Sequence, residues 1–305
     1  MSELVAAVDL GTNTALLLVA RRGPSGVIEP VVERCLTPRL GAGLARQGTL
    51  DDAAAARALA ALAEFAGTIA TAGVDPRRVR AVGTACLRRA RDGAQFAARA
   101  AQATGLPLEI VSEDEEARLG ELALELAGAG PAALVVDVGG GSTEVACRAL
   151  HLRQSLPIGA VLLTEAWLEP ERVDLARWRA LCAAAQGAAE TLPARAAEGR
   201  TAWAIGGTAV NLAAVHAGLP RFDPQAVEGR QVPTEFAAAL AETLSALDPA
   251  ARLAFPIEAE RADILPAGLA ILTAVLVRLG APQVRVSGLG LRHGIARELL
   301  DRRGS

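Results

Sequence analysis

The chain has 305 residues, 51% hydrophobic and 21% charged, with a mean hydropathy of +0.30; it has material for about two buried cores, and intrinsic disorder is excluded. A net charge of −3 gives no basic footprint for duplex nucleic acid, so DNA is not expected as a partner. All 31 basic residues are arginine, which excludes a P-loop lysine and leaves Arg, a metal or backbone N–H groups for any contact to phosphate.

The first residues, Met1, Ser2 and Glu3, carry an acid where a secretory signal carries Lys or Arg, so a cytoplasmic protein is expected. Leu4 to Val8 predicts a strand that leads into Asp9-Leu10-Gly11-Thr12-Asn13-Thr14, and Ala15 to Ala20 predicts a second. After a turn at Gly23-Pro24-Ser25-Gly26, Val27 to Arg34 predicts a third. Leu59, Leu62, Phe65 and Ile69 recur at helical spacing within a helix at about Asp52 to Thr71, with Gly73 as its stop. Strands near Arg80 to Gly83 and Leu108 to Val111 bracket a helix near Asp92 to Thr104. A helix follows Ser112, and Ala133 to Val136 then reads as a strand ending in Asp137-Val138-Gly139-Gly140-Gly141-Ser142-Thr143. A strand at Thr201 to Ile205 leads into a glycine turn, Gly206-Gly207-Thr208, and a helix from Ala209 to His216. Helices at Pro233 to Leu247 and Ala262 to Leu279, a strand at Gln283 to Ser287 and a helix at about Arg292 to Leu300 complete the chain. The longest apolar stretch, Ile264 to Val277, contains Pro266 and is shorter than a membrane span of roughly 18 to 20 residues. It reads as a buried helix, and no membrane partner is expected. The alternation of strands and helices specifies an α/β fold.

The pattern D-x-G-x-x-[ST] begins at Asp9 and again at Asp137, 128 residues later, each time between two strands. That spacing suits two similar domains in tandem with a cleft between them. Turn chemistry alone accounts for a single copy, Asp capping the local backbone and Gly supplying positive φ. Recurrence, with a third glycine turn, favours phosphate loops whose N–H groups face phosphate oxygens. Asp9 and Asp137 are then carboxylates for a hydrated magnesium, and Glu144, seven residues on, is placed to orient a metal-bound water.

In Ser112-Glu113-Asp114-Glu115-Glu116-Ala117-Arg118, acids at a helix start favour the macrodipole. Ser112 and Glu115 fit a capping box, which gives Glu115 a structural task and leaves Glu116, one helical step further round, as a candidate general base. Arg88, Arg89 and Arg39 follow or precede turns where a guanidinium can meet phosphate. Cys35, Cys86, Cys147 and Cys182 have no redox or zinc spacing and read as reduced, small apolar residues. His151, His216 and His293 have no metal-ligand spacing, and no G-x-S-x-G elbow is present, which disfavours a Ser-His-Asp hydrolase.

AAVDLGTNTALLLVA, GTACLRRARD, IVSEDEEARLGE, LVVDVGGGSTEV, LPIGAVLLTE, AIGGTAVNL, RADILPAGLAIL and VSGLGLRHG occur in this order from about residue 4 to residue 296. Together they resemble the exopolyphosphatase and guanosine pentaphosphate phosphohydrolase family, a branch of the actin-like, sugar kinase and heat-shock ATPase superfamily. The resemblance implies two ribonuclease-H-like domains of the actin-like ATPase type in tandem, with an active site in the interdomain cleft. They are expected at 1–122 and 123–291, with a final helix at about 292–305 packing back on the first. It further implies magnesium-dependent hydrolysis of a terminal phosphoanhydride, with Mn2+ as a substitute ion and a homodimer as the expected assembly. In this resemblance Asp9, Asp137 and Glu144 match the metal site, and Glu116 the catalytic base. Gly11, Thr12, Asn13 and Thr14 match one phosphate loop, Gly139, Gly140, Gly141, Ser142 and Thr143 a second, and Gly206, Gly207 and Thr208 a third; Arg88 matches a phosphate-binding arginine.

Two departures stand out. The chain stops at Ser305, soon after the last motif, so the helical C-terminal domains of longer members are expected to be absent and short chains to be the substrate. Glu113 replaces a glycine and His293 a glutamate of the usual motifs, and Glu113 adds negative charge that opposes polyanion entry. The expected activity is release of orthophosphate from short inorganic polyphosphate. Guanosine pentaphosphate is the alternative substrate. A nucleotide-dependent kinase, an actin-like polymerising ATPase and a non-catalytic alarmone or polyphosphate sensor are the readings from other classes.

Overall fold

The structure is a computed structural model that describes residues 4–23, 27–168 and 174–302. Residues 1–3, turn residues 24–26 and the last three residues of the expected final helix lie outside the described residues. The chain divides into two units, Met1–Gly128 with Leu289–Ser305, and Ala129–Gly288. The first break comes after Gly128 rather than at residue 122, because the helix Glu113–Leu126 keeps burying Ala123 and Leu124 to its end. The second precedes Leu289 rather than following residue 291, because the last helix begins at Leu291 and buries that residue in the core of the first unit.

In the first unit, β1 (Val5–Leu10), β2 (Ala15–Arg22) and β3 (Ile28–Leu36) are followed by α1 (Leu44–Gln47), α2 (Asp52–Thr71), β4 (Val79–Gly83), α3 (Ala85–Arg89), α4 (Gly93–Thr104), β5 (Leu108–Ile110) and α5 (Glu113–Leu126). The sheet order is β3-β2-β1-β4-β5, with β1–β2 and β2–β3 antiparallel and β1–β4 and β4–β5 parallel. Pro30 on the edge strand β3 has no N–H to give to the ladder, and the β2–β3 register shifts beside it between Val19 and Ala20. Alternate residues of β1 serve two cores. Ala6, Val8 and Leu10 pack with Leu62, Phe65, Ile69 and Phe96 of α2 and α4, whereas Val5 and Ala7 pack with Leu119 of α5. By length and composition α2 could cross a bilayer. Its Ala58, Leu62, Phe65 and Ile69 stripe is instead buried against the sheet.

The second unit contains β6 (Leu134–Val138), β7 (Thr143–Cys147), β8 (Leu152–Leu156), α6 (Ala160–Trp167), α7 (Leu175–Ala189), β9 (Ala202–Ile205), α8 (Gly206–His216), β10 (Gln231–Pro233), α9 (Thr234–Ser245), α10 (Pro249–Arg252), α11 (Leu265–Leu279) and β11 (Gln283–Ser287). Its order is β10-β11-β9-β6-β7-β8. Read from β8, this is the strand order of the first unit with β10 added at the far edge, and the parallel and antiparallel pairings repeat as well. The tandem α/β architecture inferred from the repeat is therefore present in the backbone. The apolar helix α11 is central to this core, burying Leu269, Ile271, Leu272, Val275 and Leu276.

The final helix, α12 (Leu291–Asp301), returns to the first unit and lies against α5. Gly294 permits the approach: a Cβ there would stand 2.0 Å from the carbonyl oxygen of Leu119. His293 caps this helix as a neutral acceptor, its Nδ1 receiving the Gly290 N–H at 3.1 Å, and burial pushes its proton affinity well down. An ionic layer seals the contact. Arg80 of β4 reaches Glu115 at 2.9 Å and Glu298 at 2.7 Å, while Arg118 reaches the same two carboxylates at 2.6 and 3.0 Å. Ser112 caps α5 as expected, accepting the Glu115 N–H at 3.2 Å. The Glu115 side chain turns to Arg118 and Arg80 instead of back to Ser112, so the reciprocal half of the expected capping box is replaced by ion pairs.

Gly294→Ala should cost about 1–3 kcal/mol by overpacking, read as a lower urea midpoint; an unchanged midpoint would mean slack between α5 and α12. The hydrogen bonds from Arg118, then Arg80, hold the Glu115 carboxyl down to about 2 from 4.5. This contribution is complete above the ordinary glutamate range and is lost as pH falls through about 2. Urea unfolding across that range should therefore show less acid destabilisation in Glu115→Gln than in the wild type.

Candidate functional site

Both candidate metal-site aspartates are ladder residues rather than members of the turns that follow them. Asp9 pairs with Leu16 of β2 and Val82 of β4, and Asp137 with Glu144 of β7 and Ile205 of β9. The strands run past the points expected from sequence because each partner strand continues the register to Leu10 and Val138.

The turns themselves are built alike. Each has four residues between paired strand ends, and each is closed by the same bond: Gly11 N–H to Thr14 O at 2.8 Å, Gly139 N–H to Ser142 O at 3.0 Å. Neither glycine adopts positive φ, contrary to the turn-chemistry expectation; a Cβ would approach Thr14 O to 3.3 Å and Ser142 O to 3.1 Å, so glycine makes room for the closing bond. In both units a neighbouring segment takes up loop carbonyls. Gly41 N–H binds Thr12 O and Arg39 N–H binds Asn13 O, both at 2.9 Å. Ala160 N–H binds Gly139 O at 2.9 Å and Val161 N–H binds Gly140 O at 3.0 Å. Gly159 allows this second approach, since a Cβ there would fall 2.4 Å from the Gly140 carbonyl. The carbonyl oxygens of Thr12, Asn13, Gly139 and Gly140 are thus taken up within their own units.

Several hydroxyls expected at phosphate are engaged inside the fold. Thr12 packs its methyl against Gly41 and bonds the Cys86 thiol. Thr143 donates to Ile158 O at 2.9 Å, and Thr208 is directed at Val138 O, 3.5 Å away. What these residues can offer a phosphate is backbone N–H. Asn13 is different: it is buried, and its Nδ2 donates to no group among the described residues.

The third glycine segment is not a free loop. Gly206, Gly207 and Thr208 form the first turn of α8, which starts three residues before the expected Ala209. Gly206 enters it at φ 82°, and a Cβ there would stand 2.6 Å from Asp137 Oδ1. This position therefore needs glycine both for its backbone and to leave the carboxylate space. Gly207 carries a cation that sequence reasoning missed. A Cβ there would lie 2.0 Å from the Arg261 guanidinium carbon, so Arg261 rests on the helix start. Glu258 holds it at 2.5 Å and is itself bound to Asn211 of α8. The only signal in the sequence was the RADILP segment, within which no residue had been singled out.

In the first unit the structure brings Arg88 and Glu116 together at 2.7 Å. Cys86, on the same helix α3, contacts Gly11 O and Thr12, which ties the helix bearing Arg88 to the loop at residues 11–14. Burial pushes the Cys86 thiol up to about 12. Arg88 also donates to Val111 O at 2.9 Å. Burial, the largest effect, raises the proton affinity of Glu116; Arg88 opposes it and Glu113 adds to it. Such a carboxyl suits a general base better than an exposed one.

Among the described residues no three His, Cys, Asp or Glu side chains form a metal cage. Asp137 and buried Glu144 nevertheless face each other across the β6–β7 ladder, and Ser155 donates to Glu144 at 3.1 Å. Like charges directly opposite are destabilising unless a cation or proton separates them, and two carboxylates match what hydrated magnesium takes from a protein. The pair fits such an ion. Asp9 holds the corresponding place in the first unit, across from Leu16.

The profile described as the Ppx/GppA phosphatase family matches residues 18–303. The guanosine-5'-triphosphate,3'-diphosphate pyrophosphatase of Vibrio campbellii is 30% identical over 323 aligned residues, covering 98% of this chain and 60% of the relative. The protein of the same name from Vibrio vulnificus gives the same figures. The chain thus spans 60% of the length of these curated relatives. Among solved structures, an exopolyphosphatase-like protein aligns with a TM-score of 0.87 at 28% identity, over 97% of both chains. The Aquifex aeolicus Ppx/GppA family member aligns at 0.80 and 27% identity, over 99% of both. With a profile match over nearly its whole length, the chain belongs to the Ppx/GppA phosphatase family.

Proposed function

We propose that this protein hydrolyses the terminal phosphoanhydride of a polyphosphorylated substrate and releases orthophosphate, with short inorganic polyphosphate as the first substrate class. The observation that carries the proposal is the buried Glu116 carboxyl held by Arg88, in a chain that bears two phosphate-type loops of one construction. Glu116 accepts the proton of the attacking water. The loop amides and the Asn13 amide orient phosphate oxygens, and Arg88 neutralises charge. Phosphoryl transfer asks mainly for such positioning and charge compensation. Asp137 and Glu144 would hold Mg2+, which would neutralise charge on anhydride oxygens, and Mn2+ is expected to substitute; Asp9 holds the equivalent place in the first unit. In this proposal the protein works in the cytoplasm.

Guanosine pentaphosphate is the second reading, and the names of the two Vibrio relatives favour it. Phosphate release with Mg2+ should be measured from short polyphosphate, long polyphosphate, guanosine pentaphosphate and ATP. Glu116→Gln should fold normally and lose roughly 10²- to 10⁴-fold in turnover, the usual cost of removing a base. Full activity in that variant would refute the assignment. Because Glu116 works only when deprotonated, wild-type activity should rise with pH through a limb above the ordinary carboxylate value of 4.5.

A further inference from the structure

Arg88 has more to do than pair with Glu116. One terminal nitrogen, Nη1, serves both the Val111 carbonyl at 2.9 Å and Glu116 at 2.7 Å. The other, Nη2, lies 4.0 Å from Oε1 of Glu113, the first residue of α5. The Glu113 side chain is 60% exposed whereas that of Glu116 is 14% exposed, so one guanidinium joins a wet carboxylate to a dry one. Of the other charges at this helix end, Glu115 is committed to Arg80 and Arg118, and both arginines also reach Glu298 of α12. From α3, the elements facing Glu116 are Arg88 and the Cys86 thiol, which burial keeps protonated.

We propose that Glu113 acts through Arg88 as a positioning residue: it draws one arm of the guanidinium away from Glu116 and so sets both the pH range in which Glu116 serves as base and the positive charge left for an anionic substrate. The proposal rests on Glu116 being the base. Glu113 is one turn from Glu116 on the same helix, and its negative charge disfavours ionisation of the buried carboxyl while offsetting Arg88. Removing that charge while keeping the side chain's shape lowers the proton affinity of Glu116 and leaves Arg88 more available to phosphate. Both effects follow from the one charge, set beside Arg88 and one turn from Glu116, and neither follows from a purely structural role at a helix start.

The test compares wild type, Glu113→Gln and Asp114→Asn, the last removing a charge from the next residue, which has no contact with Arg88. Carboxyl 13C NMR titration of Glu116, its signal assigned by its loss in Glu116→Gln, reads the geometry without turnover. In Glu113→Gln the Glu116 titration and the acid limb of the rate profile should both move to lower pH, by on the order of half a unit. KM for the hydrolysed substrate should fall roughly two- to fivefold, with kcat on the alkaline plateau unchanged, and Asp114→Asn should track the wild type. Glu116 titrating identically in Glu113→Gln and wild type, or Asp114→Asn moving it as far, would overturn the proposal while leaving the base assignment intact. Wild-type turnover in Glu116→Gln would remove the base assignment and the proposal with it.

Discussion

A carboxylate taken out of water favours its neutral form, and in the first unit everything near the start of α5 is arranged around that tendency. Arg88 counters it without abolishing it, because the guanidinium is shared between a backbone carbonyl and two carboxylates. The contrast with Glu115 is instructive: one residue away, paired with two arginines that it shares with Glu298 and with more water around it, it is held as a carboxylate down to about pH 2 and serves the packing of α12.

The two units take up the carbonyl oxygens of their hairpin loops by different local means. In the first unit the amides come from residues 39 and 41, in a segment where Arg39 itself sits at φ 53°. In the second they come from the opening of α6. The strand order and the hairpin-closing bond are retained, whereas the supporting segment is not. What the repeat keeps is therefore the strand–loop–strand hairpin and its closing bond.

This division also explains what could be read from the sequence. The loops and their aspartates were legible because strand, Asp, Gly and hydroxyl residues lie within a dozen positions of one another. Glu115 and Glu116 were separable because one helical step is a fixed rotation. Partners brought together by the sheet were not legible: nothing near Glu115 announces Arg80 or Glu298, and nothing near Gly207 announces Arg261. The close approach of a carbonyl that requires glycine at Gly11 and Gly139 was not legible, because it leaves no mark in local sequence. β8, whose Leu152–Leu156 segment mixes polar and apolar residues, is specified by its pairing with β7 rather than by its own pattern.

The path of the chain carries a consequence for how the protein is made. The second unit is an insertion, since the first is finished only when α12 arrives. Until then Val5, Ala7, Leu18, Val82 and Leu119 lack Ile295 and Leu299 as neighbours. During synthesis the nascent N-terminal sheet must wait, one apolar face covered by α5 alone, while some 160 further residues emerge at about 5–20 per second. The first unit to leave the ribosome is thus the last to close, and over that interval chaperone capture competes with folding.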